Sequence, residues 1–387
     1  MKHSGRFSGD DIAERVDAAV KIAADHAGAV DADGRFPAEA VAALRHARLL
    51  GLMAPPELGG EGAGLELISE ICTALAGACG STGMIYAMHQ ISMANLLDCA
   101  GESAWHKEFA AGAARDQLLF ASATTEAGVG GDLRHSNCAV EISGASLNLT
   151  KDATVISYGE QADALFVTAR RSLDAPSSDQ VLVVVRQDQC VLEPIGVWDA
   201  MGMRGTCSGG WRIQAKAPTE QIMPKQFADI AADSMVATSH LLWSSVWLGV
   251  AADAFARARA YTAADARKKP GAPHPAVPRL GDAFAQLQAM ECCLHENLQR
   301  FTAMRAEPDF SPTLAFSLSI NALKVNVSTG CLRVVDEAMM ICGLQGYRNG
   351  GPFSIARNLR DIHSARLMIS NDRILSGNGQ MLLLQCR

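Results

Sequence analysis

The strongest constraint on this chain is a change of texture along its length. Up to about residue 117 the apolar residues recur at helical spacing. From about 118 to 225 they come in short alternating or β-branched runs, and from about 226 the helical spacing returns. A chain with that order fits neither a single bundle nor a single sandwich. It reads as an α+β multidomain protein with an N-terminal α-helical domain (1–117), a central antiparallel β domain (118–225) and a C-terminal four-helix bundle (226–387).

The first block starts with Ile12, Val16, Val20 and Ala23–Ala24, separated by Asp, Glu and Lys. Phe36-Pro37 opens a second helix that runs through Val41, Leu44 and Leu49 to Gly51, with Pro in its first turn. Residues 54–64 hold two prolines and four glycines and form a loop, after which helices are expected over 65–79, 81–98 and 102–114. The middle block predicts strands over Leu118–Ala123, Cys138–Ser143, Leu147–Thr150, Thr154–Ser157, Ala164–Arg170 and Val181–Arg186, ending near Pro224. The last block predicts helices over 228–267, 279–306, 312–343 and 353–376. Pro270, Pro273, Pro275 and Pro278 separate the first two. Four long helices with short connections form an antiparallel bundle.

Composition narrows the function. The net charge is −7, and the densest basic run is Arg267-Lys268-Lys269, so nucleic acid is not an expected partner. The 11 cysteines are scattered with no C-x-x-C pair, which fits buried thiols in a reducing, cytoplasmic setting and no metal site. The most apolar windows, Leu67–Leu97 and Leu241–Ala252, read as buried helices rather than membrane spans, and the N-terminus has no signal-peptide pattern. Dinucleotide, P-loop, H-E-x-x-H and G-x-S-x-G motifs are missing.

One segment stands out: Ala123-Thr124-Thr125-Glu126-Ala127-Gly128-Val129-Gly130-Gly131-Asp132. It follows a predicted strand. Its glycines expose backbone N–H groups to a polar or anionic ligand, and Thr124, Thr125 and Glu126 add hydroxyl and carboxylate partners. The same residues also suit an ordinary loop between strands.

These residues resemble the acyl-CoA dehydrogenase superfamily of flavoproteins along nearly the whole chain. Phe36-Pro37 through Gly51-Leu52-Met53-Ala54-Pro55-Pro56-Glu57-Leu58-Gly59-Gly60 is similar to the family's N-terminal segment. Thr125–Asp132 is similar to its flavin-binding signature, and Leu147–Lys151 with Val155–Ser157 to the strand and loop after it. Met201-Gly202-Met203-Arg204-Gly205-Thr206 and Gly343–Tyr347 with Arg360-Asp361 resemble two further motifs. The resemblance implies FAD, with FMN as alternative, in a cleft between the β domain and the bundle. Carried over by position, Ser122, Ala123, Thr124, Thr125, Gly130 and Gly131 line the flavin. Val155, Ile156 and Ser157 lie against its ring, and Gly343 joins the set. Arg267 reaches a flavin diphosphate across a subunit interface, which implies a homo-oligomer, a dimer or a tetramer.

The chain departs from the family at the base. Dehydrogenation of a thioester needs a carboxylate to take the α-proton, and the residue at that position is Ile369, between Met368 and Ser370. The other location used in the family falls on Ser239 or His240. His240 is therefore the candidate base, because imidazole takes a proton near neutral pH. His363 and Asp372 are further candidates, whereas His89 reads as a core histidine and Met339, Met340, Trp243 and Trp247 as core filling. Three functions follow. The first is FAD-dependent α,β-dehydrogenation of an acyl thioester, on CoA or a carrier protein, with electron-transferring flavoprotein as acceptor. The second is a monooxygenase fed with reduced flavin by a flavin reductase. The third is an inactive flavin-binding relative.

Overall fold

The computed structural model describes residues 10–129, 133–268, 271, 274–307 and 311–384. Helices α1 (Asp10–Asp33), α2 (Ala38–His46), α3 (Leu65–Ala78), α4 (Gly80–Ala100) and α5 (Ala104–Asp116) come first. Helix α1 buries Val16, Ala19, Ala23, Ala27 and Val30, a stripe at three- and four-residue spacing. Helix α2 stops earlier than the apolar spacing predicts. Arg48 takes a left-handed φ of +55°, and the turn drives Leu49, Leu50 and Leu52 into the core.

Seven strands follow: β1 (Phe120–Ala123), β2 (Glu141–Ser143), β3 (Ser146–Ala153), β4 (Ala164–Arg170), β5 (Gln180–Arg186), β6 (Cys190–Gly196) and β7 (Gly210–Pro218). They form two sheets, ordered β1-β4-β5 and β2-β3-β7-β6. Strands β4 and β5 are buried on both faces, hence their continuous apolar runs, while β3 and β7 alternate between core and solvent. The named strand pairs are antiparallel except β1–β4, which is parallel. Strand β1 enters from α5, and the β2–β3 hairpin intervenes as the crossover that a parallel pair requires. Thr154–Ser157 is not a strand but the loop leaving β3. Strands β6 and β7 escape the pattern, since β6 is mostly exposed and contains Pro194, and the inward residues of β7 include Ala215 and Ala217.

In the C-terminal block, α6 (Phe227–Ile230) continues through a π-helical turn, Ala231–Met235, into α7 (Val236–Ala266). Then come α8 (Val277–Arg305), α9 (Leu314–Cys342), α10 (Leu344–Tyr347), α11 (Ala356–Ile362) and α12 (Asn371–Leu384). Three long helices occupy the bundle, and α11 with α12 makes the fourth in two pieces. The helix expected over 353–376 breaks at 367–370, where Ile369 has a φ of +48°, a conformation disfavoured for a β-branched residue. The span Phe227–Ala266 is long and apolar enough to cross a membrane, yet 83% of its apolar window is buried inside the fold.

The loop between β6 and β7 ties the three blocks together. Asp361 of α11 accepts the Met203 N–H at 2.6 Å, and Arg360 donates to the Met201 carbonyl at 3.0 Å. Arg360 also pairs with Asp31 of α1. Arg204 donates to the Asp31 carbonyl at 2.7 Å, and the Gly205 N–H donates to Ser81 of α4 at 3.1 Å. The two glycines are needed for close approach. A Cβ on Gly202 would lie 2.1 Å from the Arg360 carbonyl oxygen, and one on Gly205 would lie 2.3 Å from Val30.

Burial raises the Asp361 carboxyl to about 6, against the pull of the Met203 N–H. Its folded pKa exceeds the ordinary value of 3.8, so the protonated form favours folding. That contribution is present near pH 4 and is lost as the pH rises through 6. Asp361→Asn keeps an acceptor for Met203 without the charge. Denaturant unfolding should therefore show the variant gaining on wild type between pH 4 and 7, by at most about 3 kcal/mol. Asp361→Ala removes the acceptor and should destabilise at both pH values by about 1–3 kcal/mol.

Candidate active site

Among the described residues strand β1 is an edge strand, paired only with β4. Its first residue turns its backbone away from β4: the Phe120 N–H donates to His89 Nδ1 at 3.1 Å, and the Tyr158 hydroxyl donates to the Phe120 carbonyl at 2.9 Å. A strand alternates every second residue, so Ser122 presents its backbone N–H and C=O on the same free edge. His89 is a satisfied core histidine, as expected. Its Nδ1 accepts, so Nε2 carries the proton and donates to the Leu50 carbonyl at 2.8 Å, and burial lowers its pKa to about 4.

Beyond Ser122 the chain is strapped to the loop after β3. The Thr125 hydroxyl donates to the Val155 carbonyl at 2.7 Å and accepts the Val155 N–H at 3.1 Å. Ser122, Ala123, Thr124, Thr125 and Val155 thus share one wall, from which Val155 projects with 39% exposure. Ile156 and Ser157 turn inward instead. Ile156 is fully buried, and the Ser157 hydroxyl joins Ser208 at 2.8 Å and through it Thr206 at 2.7 Å. Gly130 and Gly131 lie outside the described residues.

Glu126 is not available as a ligand partner, because its carboxylate is consumed inside the fold. It accepts from the Ser136 hydroxyl at 2.7 Å and from the N–H groups of Asn137 and Cys138 at 3.1 and 2.6 Å. Buried Lys151 stands 3.5 Å away and donates to the Thr168 carbonyl and hydroxyl at 2.7 and 2.8 Å. Removing either partner would strand a buried charge, so this pair fixes the base of the glycine-rich turn. A strand edge with free N–H and C=O groups, flanked by hydroxyls on a fixed turn, complements the N–H and C=O groups of a flavin pyrimidine ring.

A cavity of about 560 Å³ lies between the β sheets and the bundle. Arg134 and Gln180 line it on the sheet side, and Phe227, Val236, Phe316 and Ile320 on the bundle side. No Asp or Glu is among its described lining residues. Several of them flank the π-helical turn, a backbone irregularity frequent at functional sites.

His240 sits one helical turn beyond Val236 and Ala237 of the cavity wall. It is buried, and neither ring nitrogen has a partner in hydrogen-bond geometry. Burial, and secondly the nearby Lys324 charge, push its pKa down to about 3, with the Ile320 backbone pulling weakly the other way. Thr238 Oγ1, Trp243 Nε1, Ser244 Oγ and Trp247 Nε1 on the same helix are also buried without partners. Buried polar atoms on one helix with nothing to bond mark a place where a ligand or water belongs. His363 is half-buried, Asp372 is exposed on α12, and Met340 is 65% exposed rather than core filling.

Two expected site residues lie elsewhere. Arg267 is exposed at the C-terminal end of α7, its Nε donating to the Ala263 carbonyl at 3.1 Å. At 1.5 Å per residue it stands about 40 Å along the helix from His240. Gly343 ends α9 with φ +54° and ψ −135°, a conformation open to glycine, about 28 Å along that helix from Lys324. Both stand at the far end of the bundle from His240.

The sequence reading missed Lys324. It is fully buried and donates to the Ile369 carbonyl at 2.6 Å and to Asn371 Oδ1 at 2.7 Å, with the Trp247 ring 5.4 Å from its Nζ. A signal was present: Lys324 is the one charged residue between Leu314 and Leu332 of α9.

Comparison with known proteins places this architecture. The chain matches the acyl-CoA dehydrogenase N-terminal domain over residues 10–117 and the acyl-CoA dehydrogenase C-terminal domain over residues 230–381. It is 24% identical to the amino sugar nitrososynthase DnmZ of Streptomyces peucetius over 352 residues, 87% of this chain and 84% of that one. It is 27% identical to a dibenzothiophene monooxygenase of Rhodococcus erythropolis over 234 residues, 58% of this chain and 55% of that one. Among solved structures, TdsC of Paenibacillus sp. A11-2 in complex with FMN and indole superposes with a TM-score of 0.84 at 19% identity, over 96% of this chain and 97% of that one. The order of helices, sheets and bundle, the strapped turn after β1 and the matched domains agree: the chain belongs to the acyl-CoA dehydrogenase superfamily.

Proposed function

We propose that this protein is a flavin-dependent monooxygenase that takes reduced flavin from a reductase and places one oxygen atom of O₂ in a largely apolar substrate, the other leaving as water. The observation that carries this reading is the missing carboxylate. Ile369 stands where a dehydrogenase needs its base, and the described lining of the cavity holds neither Asp nor Glu. His240 is a poor substitute. With its pKa near 3 it is neutral at pH 7 but has little affinity for a substrate proton. Thioester dehydrogenation through a displaced base at His240, with CoA or a carrier protein as donor and electron-transferring flavoprotein as acceptor, is therefore the second reading. The names of the relatives, a nitrososynthase and a monooxygenase, favour the first.

The flavin is FAD or, as in the TdsC complex, FMN. Bound reduced flavin supplies the two electrons that O₂ activation consumes. The wall of Ser122, Ala123, Thr124, Thr125 and Val155 holds its ring edge, with Ile156 and Ser157 buttressing from behind. Arg267 and Gly343, at the other end of the bundle from His240, serve a neighbouring subunit's flavin in this reading, which makes the protein a dimer or tetramer. The ten described cysteines are all free, in keeping with a cytoplasmic protein.

Under anaerobic conditions the visible bands of the oxidised flavoprotein should stay unchanged with a panel of acyl-CoA thioesters. With an NADH-dependent flavin reductase and air, an aromatic heterocycle such as indole should gain one oxygen atom, read by mass spectrometry with ¹⁸O₂. Bleaching by any thioester would overturn the monooxygenase reading in favour of dehydrogenation. Arg267→Ala should weaken flavin binding about tenfold or more through the lost charge-assisted contact, with its thermal midpoint unchanged. Unchanged flavin affinity would remove Arg267 from the site.

A further inference from the structure

We propose that Lys324 and His240 form a binding centre for an oxyanion at the inner end of the cavity, so that the ligand is an apolar body carrying one acidic O–H group, such as a phenol. This rests on the reading of the cavity as the substrate site.

Four observations meet at one place. First, Lys324 is fully buried, and no carboxylate pairs with it among the described residues. Its acceptors are two neutral oxygens, the Ile369 carbonyl and Asn371 Oδ1. An ammonium has three donors, so one N–H has no acceptor among the described residues. Second, His240 is a buried imidazole neither of whose nitrogens has a partner in hydrogen-bond geometry, with the Ile320 backbone near one of them. The two side chains sit on facing helices: Trp247, two turns from His240 on the same face of α7, stands 5.4 Å from the Lys324 Nζ. Third, each lies one helical turn beyond residues that line the cavity: His240 beyond Val236 and Ala237 on α7, Lys324 beyond Ile320 and Asn321 on α9. Fourth, the carbonyl that Lys324 holds belongs to Ile369, whose left-handed backbone is strained for a β-branched residue.

A buried ammonium without a counter-charge is costly, and so is an imidazole with nothing to bond. A ligand oxyanion answers both. It supplies the missing counter-charge to Lys324 and accepts from the His240 N–H, while its carbon body fills the apolar cavity beside Phe227, Phe316 and Ile320. Burial lowers Lys324 to about 8, so the ammonium form is available near neutral pH. The titratable neighbour from α7 is His240, neutral there; Asn371 and Ile369 face the ammonium from the α12 side, and Trp247 adds an uncharged ring.

The probe is 4-nitrophenol, which is colourless as the acid and yellow as the phenolate. At a pH where the free compound is mostly acid, the purified protein should turn it yellow on binding, with or without flavin and without turnover. Lys324→Met should abolish the colour and weaken binding about 10- to 100-fold. Ala237→Trp, which fills the cavity and leaves the bonds of Lys324 in place, should abolish it as well, so that misfolding of the first variant is controlled. Binding of nitrobenzene, which has no acidic group, should be insensitive to Lys324→Met. If nitrophenol binds wild type without yellowing, or yellows Lys324→Met equally, the oxyanion centre is overturned. If neither nitrophenol nor nitrobenzene binds wild type, the assignment of the cavity as the substrate site fails first.

Discussion

The contact on which the rest depends is the seating of the loop between β6 and β7. Arg360 and Asp361 hold it from the bundle, while Asp31 and Ser81 hold it from the N-terminal helices. Three blocks that share one continuous core are thereby also fixed at one point. Most of the bonds use backbone atoms of the loop, so they define its path and not merely its proximity. The glycines at 202 and 205 let the partners approach to distances that any side chain would forbid. The candidate site sits in the clefts between these blocks. The cavity takes one wall from the sheets and the other from α6, α7 and α9, and neither wall alone encloses a ligand.

A buried ion pair does similar work on a smaller scale. Glu126 follows the two threonines of the flavin wall, and its carboxylate is locked by two backbone N–H groups, the Ser136 hydroxyl and Lys151. The pair contributes little net stability, since desolvation offsets most of the attraction. It does specify one path for the turn, because any other would leave two buried charges apart. The pair therefore shapes the turn while leaving the Glu126 carboxylate no free lone pair for a ligand.

Legibility in the sequence followed the strength of each periodic signal. Helices α1, α3 and α9 were visible because their apolar residues repeat at helical spacing over many turns, and β4 and β5 because both faces are buried. Strand β7 was not visible, since its inward residues include small alanines whose hydrophobic contrast with Gln214 and Lys216 is slight. The break at 367–370 was hidden for a different reason. It contains no Gly or Pro, and the distant Lys324, on another helix, holds its carbonyl. The motif residues were legible, but what they bond was not: Glu126 reads as a ligand partner and Arg360-Asp361 as part of a family motif, and all three are spent on the scaffold.

The same division separates the residues that hold the scaffold from the side chains of the break after α11. Arg360 and Asp361 anchor α11 to the loop between β6 and β7, and the helical run breaks a few residues later, at 367–370. The side chains in the break take no part in the anchor, so Ile369 can replace a carboxylate without disturbing the seating. The backbone carbonyl at the same residue remains in place, and a lysine from α9 takes it up. The exchange reverses the local electrostatics. A site with a carboxylate attracts protons and repels anions, whereas one with a buried ammonium and a neutral imidazole favours a negative oxygen. The position therefore offers no carboxylate to take a proton, and the charged group that meets its carbonyl is a buried ammonium from another helix.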